Sequence, residues 1–214
     1  MDDGGNPWVN GQAQSPVPAA AVAGRLPSQP GQTGHELPPA TGPTAPQRGV
    51  PGPRAGTGLR VVRHDAAARL WILGVHGGAG ETSLALLDPD WRPAQHGWPY
   101  TGQEGARVVL AARSNAVGLE TARIAATQWA SGQVGFAEVV GLVVVADAPG
   151  ALPKPLRDLA KDVAGGVPRV WNFPWVEDWR LGVPPSPASA PDPVRKIVKD
   201  LNALAGQGST GLSR

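Results

Sequence analysis

The sequence of 214 residues contains no cysteine, which excludes disulfides, Cys-bearing zinc sites, iron–sulfur clusters and thiol catalysis. Lysine is absent from most of the chain, since the first one is Lys154. No Gly-x-Ser-x-Gly motif occurs, so a hydrolase elbow is not indicated. The four histidines show no i, i+4 or His-x-His spacing, so we expect no histidine metal site. They are His35, His64, His76 and His96.

The charge of the chain is unevenly distributed. Basic residues exceed acidic ones by 19 to 17 overall, but residues 1–58 contain three of each sign and residues 59–183 contain twelve of each. The excess therefore lies in residues 184–214, with four basic and two acidic residues. A DNA-binding domain concentrates basic residues on its folded surface. We therefore predict no direct binding of nucleic acid.

Proline and glycine are concentrated at the N-terminus. Residues 1–58 hold 11 of the 24 prolines and 11 of the 29 glycines, with Trp8 as the one aromatic residue. Such a composition buries too little apolar surface to offset its ordering entropy, so we predict a disordered tail, which could also act as a tether or docking segment. Its longest apolar run, residues 17–24, is too short for a membrane span or a convincing signal peptide. We expect no membrane span and a cytoplasmic protein.

Residues 59–183 alternate between short apolar runs and amphipathic stretches. This alternation predicts an α/β fold of three layers with a mainly parallel, P-loop-like (Rossmann-like) sheet. Residues 88–105, rich in proline and glycine, are predicted to form a loop over the end of the first strand. The predicted strands are 70–75, 107–112, 139–146 and 169–173, and the predicted helices are 81–87, 118–131 and 154–164.

A Pro/Ser-rich linker at residues 184–192 precedes a predicted C-terminal helix over 193–205, and residues 206–214 are predicted to be a flexible end. Asp192 suits the N-cap and Gly206 the C-cap of this helix. Two alternatives remain for its apolar side: it packs back on the domain, or it binds a protein partner. That side is formed by Val194, Ile197, Val198, Leu201 and Leu204.

Polar residues follow the predicted strands, where ligands of parallel sheets bind. The strand-end candidates are His76, Arg113, Asn115 and Asp147. The first strand end carries a glycine-rich loop that opens a helix, a pattern that forms an anion-binding nest of backbone N–H groups. The candidate phosphate-binding residues are Gly77, Gly78, Ala79, Gly80, Glu81, Thr82 and Ser83.

This loop resembles the deviant Walker A loop, K-G-G-x-G-K-[ST]-[ST], of the ParA/MinD branch of P-loop ATPases. Both lysines of that pattern are missing, and His76 and Glu81 stand in their places. Residues 142–147 are similar to a Walker B strand, which ends in an acidic residue that holds the metal or its water. The resemblance implies ATP or GTP as the nucleotide and Mg²⁺ held by Thr82 and Asp147.

The missing lysines change the expected chemistry. A carboxylate at Glu81 beside the phosphates would cost on the order of several kcal/mol at about 4 Å. We therefore expect weak or no nucleotide binding, and a pseudo-ATPase rather than an active hydrolase. The alternatives are a protein-interaction scaffold that binds no nucleotide, or an active NTPase in which Arg113 or Arg180 replaces lysine. Without a ligand, the loop is a tight turn and Asp147 a turn residue before Pro149.

Residues 73–85, 108–132 and 142–182 also look like an uncharacterised actinobacterial family found beside conjugation and plasmid-type genes. That resemblance implies an accessory or regulatory role in plasmid maintenance or conjugative DNA transfer. Trp171, Trp175 and Trp179 recur every four residues and predict either packing or a surface that stacks on a base or contacts a partner. We expect a protein partner at this Trp-rich surface or at the C-terminal helix, and a homodimer stays an alternative.

Overall fold

The structure, a computed structural model, describes residues 36–102 and 105–206. Within them no helix is both long and apolar enough to cross a membrane. The chain folds into an α/β domain, as predicted. Its strands are β1 (Val61–Arg63), β2 (Leu70–Gly74), β3 (Trp91–Pro93), β4 (Trp98–Tyr100), β5 (Ala106–Arg113), β6 (Ala137–Val145) and β7 (Val170–Phe173). Its helices are α1 (Glu81–Ala85), α2 (Ala116–Ala130), α3 (Lys154–Ala164), α4 (Glu177–Arg180) and α5 (Asp192–Gly206).

Five strands form one parallel sheet in the order β3-β2-β5-β6-β7, while β1 and β4 pair in parallel as a separate ribbon. Counted along the chain, the five-stranded sheet has the order 2-1-3-4-5, that of flavodoxin-type doubly wound domains. The chain runs from β2 to β3 toward one edge of the sheet, and from β5 to β6 toward the opposite edge. This reversal opens a crevice beyond the carboxyl ends of these two strands.

The sheet is buried on both faces. In β2, Trp71 and Leu73 pack in one apolar cluster with α2 and α3, and Leu70 and Ile72 pack in a second cluster with α1 and α5. This alternation follows from the two-residue period of a strand. Helices on both faces explain why the strands are almost continuously apolar. The packing is compatible with the predicted three-layer arrangement.

The four predicted strands and the three predicted helices between them are confirmed to within a few residues. The prediction of a loop over residues 88–105 is wrong, because that segment contains β3 and β4. β3 lies at the edge of the sheet, where a strand tolerates a residue such as Pro93 that cannot donate a hydrogen bond. Trp91 in β3 and Trp98 in β4 are both buried, and neither lines the cleft at the end of the first predicted strand.

The predicted disordered tail divides into two parts, of which residues 1–35 lie outside the described residues. Residues 36–58 contain neither helix nor strand, yet they lie against the domain. Thr41 N–H donates to a carbonyl just before β7 at 2.9 Å, and Gln47 N–H donates to the last carbonyl of α2 at 2.8 Å. These long-range hydrogen bonds, which composition does not reveal, hold residues 36–58 in place, so the predicted disorder does not describe them.

The C-terminal helix, α5, is docked on the sheet. Val194 and Leu201 are 0% and 1% exposed. The buried Asp200 accepts a hydrogen bond from Trp171 Nε1 at 2.9 Å. Arg107 Nη1 donates to the carbonyls at the end of the helix, where a cation is favoured. Val194, Ile197 and Leu201 of the predicted apolar side are therefore buried against the domain, which is the first of the two alternatives for this helix, and Val198 and Leu204 are partly buried. Of the predicted flexible end, residues 207–214 lie outside the described residues.

The docking of α5 can be tested by core truncation. Leu201→Ala is expected to lower the free energy of unfolding by about 2–5 kcal/mol, because it leaves a cavity between the helix and the sheet. Lys199→Ala, at an exposed position of the same helix, should change it by no more than about 0.5 kcal/mol. Urea unfolding followed by tryptophan fluorescence measures both. Equal midpoints for the two variants would contradict the packing of α5 on the sheet.

Candidate functional site

A cleft of about 620 Å³ opens at the carboxyl ends of β2, β5, β6 and β7. It includes the crevice created by the reversal at β2. Its volume falls within the range of small-molecule sites, about 300–1,000 Å³. The wall carries backbone, charged and aromatic groups from the ends of these four neighbouring strands and from the segments that follow them. We therefore take the cleft as the candidate functional site.

The loop between β2 and α1 forms one wall of the cleft. Gly78 and Gly80 have φ angles of 79° and 91°, in the left-handed region that glycine adopts without strain. Ala79 N–H donates to His76 O at 3.2 Å and closes a tight turn between them. No side chain caps the first turn of α1. The path of the backbone thus requires the glycine-rich sequence, whether or not a ligand is bound.

The seven predicted phosphate-binding residues do not all reach the cleft. Ala79 is fully buried, Glu81 is buried on another side, and Thr82 is exposed outside the cleft lining. The helical period explains this separation, because residues three and four apart share a face of α1. The members that line the cleft are Gly77, Gly78, Gly80 and Ser83.

The Glu81 side chain is 4% exposed and turns away from the cleft toward His96. Its Oε2 lies 2.9 Å from His96 Nδ1, and both carboxylate oxygens accept the His96 backbone N–H at 3.3 Å. Gln95 and His96 have φ angles of 59° and 55°, a costly conformation for residues other than glycine. The carboxylate therefore stabilises this turn behind the loop. The carboxylate is not on the cleft wall, so the predicted repulsion between Glu81 and a phosphate in the cleft is no longer expected.

His76 connects the loop to β5. Its Nε2 accepts the backbone N–H of Arg113 at 3.1 Å, so this nitrogen carries no proton. The ring proton is then on Nδ1, which lies 2.8 Å from Gly77 O. Gly118 makes room for the contact, since a Cβ there would lie 2.9 Å from His76 Nε2 and 2.3 Å from Arg113 O. His76 is thus a neutral linking group rather than a substitute for the positive charge of lysine.

Two guanidinium groups line the cleft. Arg113 Nε donates to Gly78 O and its Nη1 donates to Ala146 O, both at 2.9 Å, so this side chain bridges the loop after β2 and the end of β6. The Arg180 side chain is exposed and makes no hydrogen bond within residues 36–102 and 105–206. The two arginines that the sequence offered in place of lysine therefore both lie at the cleft.

The other strand-end candidates have different roles. Asn115 Oδ1 accepts Gly118 N–H at 2.8 Å and caps α2. Asp147 lines the cleft with an exposed side chain, and its backbone N–H donates to Ser114 Oγ at 3.0 Å. Thr82, the predicted second metal ligand, does not line the cleft. It follows β2, whereas Asp147 follows β6, and β5 lies between these two strands in the sheet. The cleft therefore contains Asp147 without the hydroxyl of Thr82.

Aromatic side chains from the end of β7 and from α4 also line the cleft. Trp179 packs on Phe173 with ring centroids 5.5 Å apart, and Trp175 Nε1 donates to Glu177. Trp175 and Trp179 are partly exposed, whereas Trp171 is 3% exposed and belongs to the core. The predicted Trp-rich pattern thus divides into one core residue and two cleft residues. Trp179 lies in α4, a helix of four residues that directly follows the segment after β7.

Comparison with known proteins gives one match. Residues 68–198 match the model of a family described as a family of unknown function, DUF6668. The chain belongs to the DUF6668 family. The matched region contains all five strands of the main sheet and every segment that lines the cleft, so the candidate site lies within the DUF6668 region. No curated protein and no solved structure matches the chain.

The orientation of Glu81 gives a prediction for this DUF6668 protein. Restoring the Walker-type lysine with Glu81→Lys is expected to lower the free energy of unfolding by about 3 kcal/mol or more, because an ammonium group would be buried beside His96 without a partner. Thr82→Lys is the matched control at the exposed neighbouring position, with a change of no more than about 0.5 kcal/mol. Thermal unfolding measures both. A stable Glu81→Lys variant that gains ATP binding would contradict this orientation.

Proposed function

We propose that this DUF6668 protein binds a nucleotide in the cleft and does not hydrolyse it. The observation that carries the proposal is the combination of Arg113 and Arg180 with Trp175 and Trp179 around one cleft. Guanidinium groups recognise phosphate, and indole faces stack on bases. The glycines of the loop let the backbone approach a ligand closely.

The position of the cleft supports the same proposal. It lies beyond the carboxyl ends of β2 and β5, the two strands at which the winding of the sheet reverses. Ligands of doubly wound α/β domains, nucleotides among them, bind at this switch point. The space beside Gly77 and Gly78 is also open, since a Cβ built on either residue would meet nothing within 4 Å.

The absence of hydrolysis is proposed from the groups on the wall. The first lysine of the chain, Lys154, does not line the cleft, and neither does Thr82. A P-loop ATPase uses such a lysine and hydroxyl to stabilise the transferred phosphoryl group. The finer predictions of a ParA/MinD-like ancestry, a role in plasmid maintenance or conjugation, and a cytoplasmic location rest on sequence resemblance and composition.

A second candidate function is a protein-interaction scaffold. Val117, on the cleft wall, is 72% exposed, and Leu181, directly after α4, is 74% exposed. Large exposed apolar side chains near a cleft favour a partner surface. The docked α5 buries Val194, Ile197 and Leu201 in the core, so the partner surface of this second candidate function is the rim of the cleft.

The nucleotide proposal is tested by calorimetric titration of the full chain with AMP, GMP, ATP and GTP, each with and without Mg²⁺. Arg180→Ala is expected to weaken the binding about tenfold or more, because a charge-assisted hydrogen bond contributes about 1.5–3 kcal/mol. The thermal midpoint should stay unchanged, since the side chain is exposed. Arg92→Ala is the matched control: Arg92 is exposed, makes no side-chain hydrogen bond within the described chain and does not line the cleft.

Two results would contradict the proposal. Absence of binding heat with all four nucleotides in both conditions would reject nucleotide binding and favour the scaffold. Release of phosphate from ATP or GTP by the native protein above the buffer background would contradict the absence of hydrolysis.

A further inference from the structure

We infer that the ligand of the cleft is a nucleoside monophosphate that binds without a divalent cation, its phosphate held by the two arginines. The inference rests on the proposed nucleotide site and specifies the charge and size of its ligand. It departs from the Mg²⁺–triphosphate ligand that the resemblance to P-loop ATPases implies.

The charge of the cleft favours a ligand with one phosphate. Among the described residues, the formally charged side chains on its wall are Arg113, Arg180 and Asp147, which carry a net charge of +1. His76 adds no charge, because its Nε2 accepts a backbone N–H. A phosphate monoester carries about −1.5 to −2 charges at pH 7, and each further phosphate adds more. One net positive charge compensates half or more of the charge of a monophosphate but leaves most of the charge of a triphosphate uncompensated.

Of the two residues that would hold the implied Mg²⁺, Asp147 lines the cleft and Thr82 does not. Thr82 is exposed outside the lining, because the helical period turns it away from the face that Gly80 and Ser83 share. Asp147 is then the single carboxylate on the wall. Mg²⁺ is usually bound through one or two carboxylates together with substrate phosphates and several waters, and a ligand with a single phosphate adds few oxygens to the one carboxylate of Asp147. The guanidinium groups instead supply the positive charge directly.

The two arginines are suited to one phosphate in different ways. Arg113 is already fixed by its hydrogen bonds to Gly78 and Ala146, so little side-chain entropy is lost when a ligand binds. Its Nη2 makes no hydrogen bond within the described chain and is left to donate. Arg180 has all its donors available. Both guanidinium groups line the same cleft and keep donors for charge-assisted hydrogen bonds to a phosphate.

The charged and aromatic groups line one cleft, so a single small ligand can contact both. Trp175 and Trp179 follow β7, which lies two strands from β5, the strand that ends at Arg113. Neighbouring strands lie about 4.8 Å apart, so the two strand ends are separated by about 10 Å. Arg113 Nη1 reaches the carbonyl of Ala146 just after β6, and Arg180 directly follows Trp179 in α4. A phosphate between the two guanidinium groups therefore lies within the length of a nucleoside monophosphate from the indoles.

The inference is tested by titrating the full chain with AMP, GMP, adenosine and ATP, first in EDTA and then with excess Mg²⁺. AMP or GMP is expected to bind in EDTA, with an affinity that Mg²⁺ changes by less than about twofold. Adenosine should bind at least about tenfold more weakly than AMP, because it lacks the phosphate. ATP should bind more weakly than AMP in both conditions.

Asp147→Asn separates the two modes of binding. Without a metal, removal of this negative charge is expected to strengthen AMP binding about two- to fivefold, because the carboxylate repels the phosphate. With a metal held by Asp147, the same substitution abolishes binding. Asp65→Asn is the matched control, since Asp65 is exposed, lies outside the cleft lining and changes the net charge equally.

The outcomes distinguish this inference from the proposed function. Binding of ATP that exceeds that of AMP and is lost in EDTA, or in Asp147→Asn, would overturn the inference and leave nucleotide binding in place. Absence of binding with every nucleotide would reject both.

Discussion

The parallel direction of all five strands is the constraint on which the rest of the structure depends. It brings the carboxyl end of every strand to one edge, and the reversal at β2 opens a crevice there. Parallel connections also place helices on both faces, so the strands must be apolar on both sides and the polar residues are confined to the strand ends. Arg113 then ties the loop after β2 to the end of β6 through two backbone carbonyls. The cleft is therefore a consequence of the topology, made rigid by one side chain.

The parts of the fold that could be predicted are those with enough residues to show a period. β6 is nine residues long and nearly continuously apolar, and α2 spans fifteen residues. β3, β4 and α4 have only three or four residues each, too few for a period, and prolines at positions 93 and 99 favour a loop. The amphipathic pattern of α5 predicted the helix but not its contact, because a docked face and a partner-binding face look alike in sequence.

The candidate site was predictable as a location and less so as a set of contacts. Strand ends and glycine-rich turns mark where a ligand binds in a parallel sheet, and His76, Arg113, Asn115 and Asp147 do lie at one edge. Motif spacing fixes the order of residues along the chain, whereas the face of α1 that each residue occupies depends on where the helix begins. This is why Ser83 lines the cleft and Thr82 does not. The partner of Glu81, His96, lies in a turn whose left-handed backbone no sequence pattern indicated.

The pairing of Glu81 with His96 explains how the loop keeps its shape without a lysine. In a Walker loop the positive charge stands on the phosphate side, and here the carboxylate binds the turn behind the loop instead. Gly78 and Gly80 are needed for the backbone path itself, so the glycines are required even where the charge is lost. The positive charge at the cleft comes from Arg113 in the neighbouring strand and from Arg180 in α4. A glycine-rich loop can thus resemble a phosphate-binding motif in sequence while other elements of the fold supply the positive charge of the cleft.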